Sequence, residues 1–278
     1  IGDPNGIGIE IILKSLSNFS LFHECNFIIY ASTDLIEKQK KHFQIDTPSI
    51  IKIDSEEDLS DTQINVKEVF SNYQFNFGES DKELSALGII SLKEATKAIE
   101  DKKIDILVTA PINKDLSFSE SFKYTGHTDF LKNYFRTSPL MLMISKELKI
   151  ALLTDHIPIK DVSNAINTDL VEQKIKALET SLIKDFQIKK PKIAVLAVNP
   201  HAGDNGVIGN EDQSIITPAI NSFKGTTSSI NGPFSADTFF VNENYKKYDG
   251  VIASYHDQGL IPFKTISFGK GVNFTAGL

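Results

Sequence analysis

The sequence predicts an α/β fold with a largely parallel sheet, and three observations carry the prediction. Short apolar runs rich in β-branched residues alternate with stretches of helical period. The runs are apolar throughout, as strands covered on both faces are. Compact polar clusters follow several of them, at the places where such sheets bind ligands. Taken in order, Gly8–Leu16 carries apolar residues at three- and four-residue spacings and reads as a helix, followed by a strand at Phe27–Tyr30. The polar stretch Asp54–Asn65 reads as a surface connection. Ala86–Glu100 is the next helix, and Ile104–Thr109 the strand after it. Leu140–Ile144 and Ile150–Leu153 read as strands, Val171–Asp185 as a helix, and Ile193–Val198 and Gly250–Ser254 as further strands. The alternation is that of βαβ units. No internal repeat or low-complexity linker marks a domain boundary.

Composition narrows the partners. With 278 residues, 41% of them hydrophobic, the chain can bury one large core or two smaller ones. The net charge of −7, with no basic cluster longer than a pair of lysines, argues against nucleic acid and for a small molecule. The single cysteine, Cys25, excludes an internal disulfide and a cysteine-based zinc site, and fits a reducing compartment. No apolar run approaches the roughly 20 residues that span a bilayer. The sequence starts at Ile1 without methionine and stops at Leu278 in a glycine-rich stretch, so both natural termini are expected to lie further out.

The clusters are "TAPINK", "TDHIP", "NPHAG" and "ASYHDQG", each after an apolar run, and "GDPNGIGIE" ahead of the first helix. They are expected to converge on one crevice. Three of them contribute one histidine each: His156, His201 and His256. Any one alone reads as a loop histidine bonded to a carbonyl. Three together supply what a catalytic Zn²⁺ or similar ion needs from a protein, with one position left open. Asp155 and Asp257 adjoin two of these histidines as orienters, further ligands or structural partners. His23 and His42 read as solvated.

"GDPNGIGIE" has neither dinucleotide-binding nor P-loop spacing; it reads as a glycine-lined turn before a helix whose free N–H groups could meet an anion. In "YTGHTDFL", His127 and Thr128 either cap a helix or bind an anion there. Lys114 and Lys264 are candidates for carboxylate or phosphate recognition, against the ordinary reading of solvated lysines.

"GDPNGIGIE", "TAPINK", "GHTDFL", "LTDHIP", "NPHAG", "GPFSADTFF" and "YDGVIASYHDQGLIPFK", in this order over nearly the whole chain, resemble the 4-hydroxythreonine-4-phosphate dehydrogenase family. The resemblance implies a two-lobed α/β/α fold similar to isocitrate and isopropylmalate dehydrogenases. The first lobe is then expected to hold 1–111 plus 270–278, and the second 112–269, with the metal site and dimer contacts. The resemblance also implies a cytoplasmic homodimer with its active site at the subunit interface. The implied cofactors are NAD or NADP and a divalent metal (zinc, magnesium or cobalt). Residue by residue, the metal ligands fall on His156, His201 and His256, and the substrate-binding positions on His127, Thr128, Lys264 and Asn273. A further substrate-binding arginine would fall just past Leu278, and the cofactor-binding residues are not assigned. The sequence departs from the family pattern at Asp204, usually glutamate, and Asn5, commonly alanine.

The implied reaction is oxidation of 4-phosphooxy-L-threonine to 2-amino-3-oxo-4-phosphooxybutanoate, which decarboxylates to 3-amino-2-oxopropyl phosphate, in pyridoxal 5′-phosphate biosynthesis. The metal would lower the pKa of the reacting hydroxyl, and Lys264 or Asp257 would take its proton. Three alternatives stay open: a dehydrogenase of a phosphorylated sugar acid (4-phospho-threonate or 4-phospho-erythronate), a metal-dependent hydrolase, and a metal-stabilised binding protein without turnover.

Overall fold

The structure, a computed structural model, describes residues 1–71, 76–117, 122–225 and 227–277. The chain divides into two compact units, Ile1–Leu131 and Lys132–Leu278.

In the first unit, β1 (Ile28–Ala31), β2 (Ile50–Ile53) and β3 (Ile64–Glu68) form a parallel sheet in the order β1-β3-β2. Helices α1 (Gly8–Leu16) and α2 (Thr33–Phe43) close one core with it, through Ile9, Leu13, Leu35, Ile36, Ile64 and Val66. Helix α3 (Lys82–Glu100) is capped by Asp81, which accepts from the N–H groups of Glu83 and Leu84, and it packs Ala95 and Ala98 on Tyr30. Further along the unit lie α4 (Lys114–Ser117) and the start of α5 (His127–Phe135).

Two expectations change here. Asp54–Asn65 is a connection only up to β3, and the strands flanking it were not foreseen. Ile104–Thr109 forms no strand: Ile104 and Leu107 pack beside Tyr30 of β1, but the segment pairs with no strand among the described residues, and Ile106 and Val108 are 75% and 86% exposed. An apolar run without a ladder partner has the composition of a strand and not its hydrogen bonds.

The second unit is a six-stranded sheet in the order β7-β6-β8-β5-β4-β9. Its strands are β4 (Leu140–Ile144), β5 (Lys149–Leu152), β6 (Lys192–Leu196), β7 (Ser229–Phe234), β8 (Gly250–Ala253) and β9 (Val272–Ala276). β5, β8, β6 and β7 are parallel, while β4 runs antiparallel to both β5 and β9. The continuous apolar runs have the expected cause. Ala151, Ile193, Val195 and Ile252 face one core and Ile150, Leu152, Ala194, Leu196, Val251 and Ala253 the other, so every position is covered. The remaining helices are α6 (Val162–Ala165), α7 (Thr168–Lys184), α8 (Thr217–Asn221), α9 (Ala236–Phe239) and α10 (His256–Ile266). α7 covers the first face through Val171, Ile175, Leu178 and Leu182. α10 covers the second through Leu260 and Phe263. It approaches so closely that a Cβ on Gly259 would stand 2.7 Å from Leu152 Cδ2, which explains the glycine within "ASYHDQGLIPFK".

The expected return of 270–278 to the first lobe does not occur. Val272–Ala276 pairs with Leu140–Ile144, and Phe274 and Ala276 join the core of the second unit. The first unit instead runs on to Leu131.

Candidate active site

Three strand ends converge along one edge of the second unit. β5, β8 and β6 are neighbours and parallel, so their carboxyl ends share that edge, and each leads into one of the singled-out histidines. The ends are sewn together. Thr154 Oγ1 donates to the Ser254 carbonyl at 2.8 Å, and Ser254 Oγ to the Leu196 carbonyl at 3.2 Å. Gln258 accepts from Ser254 N–H at 2.7 Å and donates to the Ala197 carbonyl at 2.8 Å. The glutamine of "ASYHDQG" is therefore a staple between two strands.

His156 and His256 are brought side by side, their ring centroids 5.5 Å apart. Asp257 Oδ1 lies 2.7 Å from His256 Nδ1, which holds the ring and leaves Nε2 free, the arrangement that commonly orients a metal-ligating imidazole. Asp155 turns back on its own loop, its Oδ1 accepting from His156 N–H at 2.9 Å.

His201 sits in a left-handed turn after β6, where residues 201–205 all have positive φ, between 43° and 79°. Only one of these is glycine, Gly203, so the turn stores strain that its surroundings must offset. Asp212, wholly buried at the start of a π-helical turn, accepts from Val198 N–H at 2.7 Å, Asn199 N–H at 3.0 Å and Asn199 Nδ2 at 3.1 Å. The loop lies beside α9, where Asp237 is held below the usual carboxylate range, first by Ser235 and then by smaller effects that include His201.

The donor set fits a divalent cation in kind: three imidazoles at adjacent strand ends, one already oriented by a carboxylate. Among the described residues, however, no group of three or more His, Cys, Asp or Glu side chains gathers closely enough to hold an ion in this arrangement.

The expected substrate residues fall in three places. His127 and Thr128 open α5 in the first unit, where Asp129 Oδ2 accepts from Thr125 N–H at 3.0 Å and closes the turn. Burial first, with a smaller effect of the Lys114 positive charge, holds the His127 imidazole below its ordinary pKa. A cavity of about 350 Å³ in this unit has His127 among its lining residues, but most of its wall is apolar, from side chains such as Ile12, Ile28 and Leu92. Asn273 lies on β9 opposite Met143, which pairs with Ile150, near the start of β5 and away from its histidine-bearing end. Lys264 rides on α10 about 12 Å along the axis from His256 at 1.5 Å per residue. The helix ends at the same distant edge, where Ser267 Oγ donates to Ser145 Oγ at 2.7 Å.

The "GDPNGIGIE" turn is occupied internally. Asp3 N–H donates to the Pro111 carbonyl at 3.0 Å, Asn5 Nδ2 to the Glu79 carbonyl at 2.9 Å, and Gln39 Nε2 to the Pro4 carbonyl at 2.8 Å. Lys174 on α7 escaped the sequence reading. Burial, partly opposed by Asp155, lowers its pKa, yet on a helix with charges opposite its apolar stripe it reads as a solvated lysine.

Imidazoles and carboxylates follow the carboxyl ends of neighbouring parallel strands, the place where α/β proteins of enzymatic type commonly bind their ligands. The family model of the "Pyridoxal phosphate biosynthetic protein PdxA" matches residues 23–278, and the chain belongs to that family. A 4-hydroxythreonine-4-phosphate dehydrogenase of Sulfurihydrogenibium sp. is 40% identical over 100% of this chain and 85% of its own. The crystal structure of the 4-hydroxythreonine-4-phosphate dehydrogenase from Klebsiella pneumoniae superposes with a TM-score of 0.88 at 30% identity, covering 100% of this chain and 85% of that one. A protein of Oceanobacillus iheyensis, provisionally named a D-threonate 4-phosphate dehydrogenase, is 32% identical over 100% of this chain and 85% of its own.

Proposed function

We propose that this chain is an NAD(P)-dependent, metal-assisted dehydrogenase that oxidises 4-phosphooxy-L-threonine in pyridoxal 5′-phosphate biosynthesis. The observation that carries the reading is the delivery of His156, His201 and His256 to one edge by three adjacent parallel strands, in a chain of the PdxA family. His156, His201 and His256 would hold the cation, and Asp257 keeps the His256 ring turned for it. A bound cation would supply Lewis acidity toward the substrate hydroxyl, and a bound nicotinamide would supply the hydride acceptor. Asp257 or Lys264 accepts the hydroxyl proton. The product is a β-keto acid that loses CO₂ to give 3-amino-2-oxopropyl phosphate. His127, Thr128, Lys264 and Asn273 bind the phosphorylated amino acid. Lys264 and Asn273 lie toward the sheet edge remote from the histidines of their own chain, which supports a homodimer whose active site draws on both copies. No helix among the described residues is long and apolar enough to cross a membrane, and we place the enzyme in the cytoplasm.

The second reading, a dehydrogenase of 4-phospho-threonate or 4-phospho-erythronate, is favoured by the Oceanobacillus iheyensis relative. One experiment separates them. The phosphorylated threonine and both sugar acids are supplied in parallel with NAD⁺ or NADP⁺ and a divalent salt, and reduced nicotinamide is followed. Turnover of the threonine compound, abolished by chelation and in His201→Ala, is the expected result. Preference for a sugar acid would move the substrate assignment; phosphate release without nicotinamide reduction would replace the dehydrogenase by a hydrolase.

A further inference from the structure

Glu211 stands between two of the histidine-bearing loops. Its Oε1 accepts from Ser163 Oγ at 2.7 Å, in the short helix α6 that follows the His156 loop. Its Oε2 accepts from Asn199 Nδ2 at 2.8 Å, just ahead of His201. The same Asn199 amide is held from the other side by Asp212. The turn is folded tightly over this junction: a Cβ on Gly209 would stand 2.7 Å from Glu211 Oε2 and 2.8 Å from Asn199 Nδ2, and one on Gly203 would stand 2.6 Å from the Gly209 carbonyl oxygen. These bonds, Ser163 first, keep the Glu211 carboxyl below its usual range, so it is ionised and acceptor-only at neutral pH. A carboxylate with one oxygen on each loop fixes their separation in a way that two independent bonds would not.

We propose that Glu211 is a positioning residue: by tying Ser163 to Asn199 it sets the spacing between the loops that carry His156 and His201, and thereby the affinity of the pair for a divalent cation. The proposal rests on the metal reading above. Glu211 bonds no histidine itself, so its effect runs through the loop spacing and falls at the lower end of the about 10- to 100-fold by which groups bonded directly to metal ligands control affinity. Asp212 differs in role, since it is bonded only within one loop and its neighbouring strand end.

The test uses Co²⁺ alone, titrated into the metal-free protein and followed by its visible absorption and by calorimetry. In Glu211→Gln the side chain keeps its shape but loses its charge, and its amide nitrogen either opposes the Asn199 amide donor or meets Ser163 Oγ, which must then turn and accept, so the charge-assisted tie between the loops is weakened. Co²⁺ affinity is expected to fall about 10-fold with an altered visible spectrum, while the unfolding midpoint stays within a few degrees. Ser163→Ala, a milder change, should weaken Co²⁺ binding in the same direction, and the double variant should fall little further than Glu211→Gln, since both cut one tie. Wild-type affinity and spectrum in both single variants would overturn the proposal. If the wild-type protein takes up no Co²⁺, or keeps it in His256→Ala, the metal reading itself fails, and the proposal with it.

Discussion

Asp212→Ala isolates what the buried carboxylate contributes to the second unit. The side chain is fully buried and accepts three bonds, two of them from the backbone N–H groups of Val198 and Asn199. Alanine leaves both N–H groups without an acceptor, and an orphaned buried donor costs about 1–3 kcal/mol. Asn199 Nδ2 keeps Glu211, so that third loss is small. Val198 and Asn199 are themselves half-buried, and water can reach them in part. Two such donors would cost about 2–6 kcal/mol, and their partial exposure puts the expected loss in the lower half of that range, about 3 kcal/mol, or about 6–12 °C in Tm for a unit of this size. Asp212→Asn keeps one carbonyl acceptor and should lose about half as much. Urea unfolding followed by circular dichroism gives both values. A loss below about 1 kcal/mol in Asp212→Ala would show that the strained His201 turn stands without this anchor.

Other outcomes follow from the same bonds and contacts. Gln258→Ala frees the Ser254 N–H and the Ala197 carbonyl and should cost about 2 kcal/mol in the same urea assay; a neutral effect would deny that the strand ends are stapled there. Gly259→Val drives branched atoms into Leu152 and Ala253 and should cost about 3 kcal/mol, visible as a lowered melting midpoint; wild-type stability would mean that α10 can lift from the sheet at no cost. His127 has a folded pKa below its ordinary 6.5, chiefly through burial. The unfolded chain therefore binds the proton first as pH falls, and stability declines from about pH 6.5 downward through the folded pKa, with no contribution from this group well above it. Urea midpoints taken from about pH 7.5 to about pH 5 should fall less steeply in His127→Gln, and equal slopes would refute the assignment.

Most of the second unit was legible because its strands are covered on both faces, so Ile193–Val198 and Gly250–Ser254 appear as uninterrupted apolar runs. Strands without that signature escaped. β9 is exposed at Val272 and Asn273, and β7 carries Asn231, Gly232 and Pro233, so neither reads as a strand. Ile104–Thr109 shows the opposite failure, an apolar run whose strand state depends on a neighbour that sequence cannot supply. The histidines were findable because strand ends are marked locally by a change from apolar to polar. Glu211, Gln258 and Lys174 were not, because a carboxylate between two loops, a staple and a partly buried lysine carry no local mark that separates them from surface residues.

The register of the sheet bears on assembly. His156, His201 and His256 follow the carboxyl ends of β5, β6 and β8, whereas Asn273 is level with Ile150, near the opposite end of β5, and Lys264 is on the half of α10 that ends at Ser145. Strand length of about 3.3 Å per residue puts the width of the sheet between the two groups within one chain. A site that uses both would take them from two copies, each giving its histidines to one site and its Lys264 and Asn273 to the other. Such a site obeys mass action: specific activity falls on dilution below the dimer dissociation constant, and substrate that bridges the copies restores it. It also complements. If His156→Ala and Lys264→Ala chains are mixed equally and exchange, half the dimers are mixed and each mixed dimer holds one intact site of two. About a quarter of wild-type activity should return. Two inactive variants that exchange subunits, yet recover nothing, would mean that Lys264 acts within its own chain or not at all.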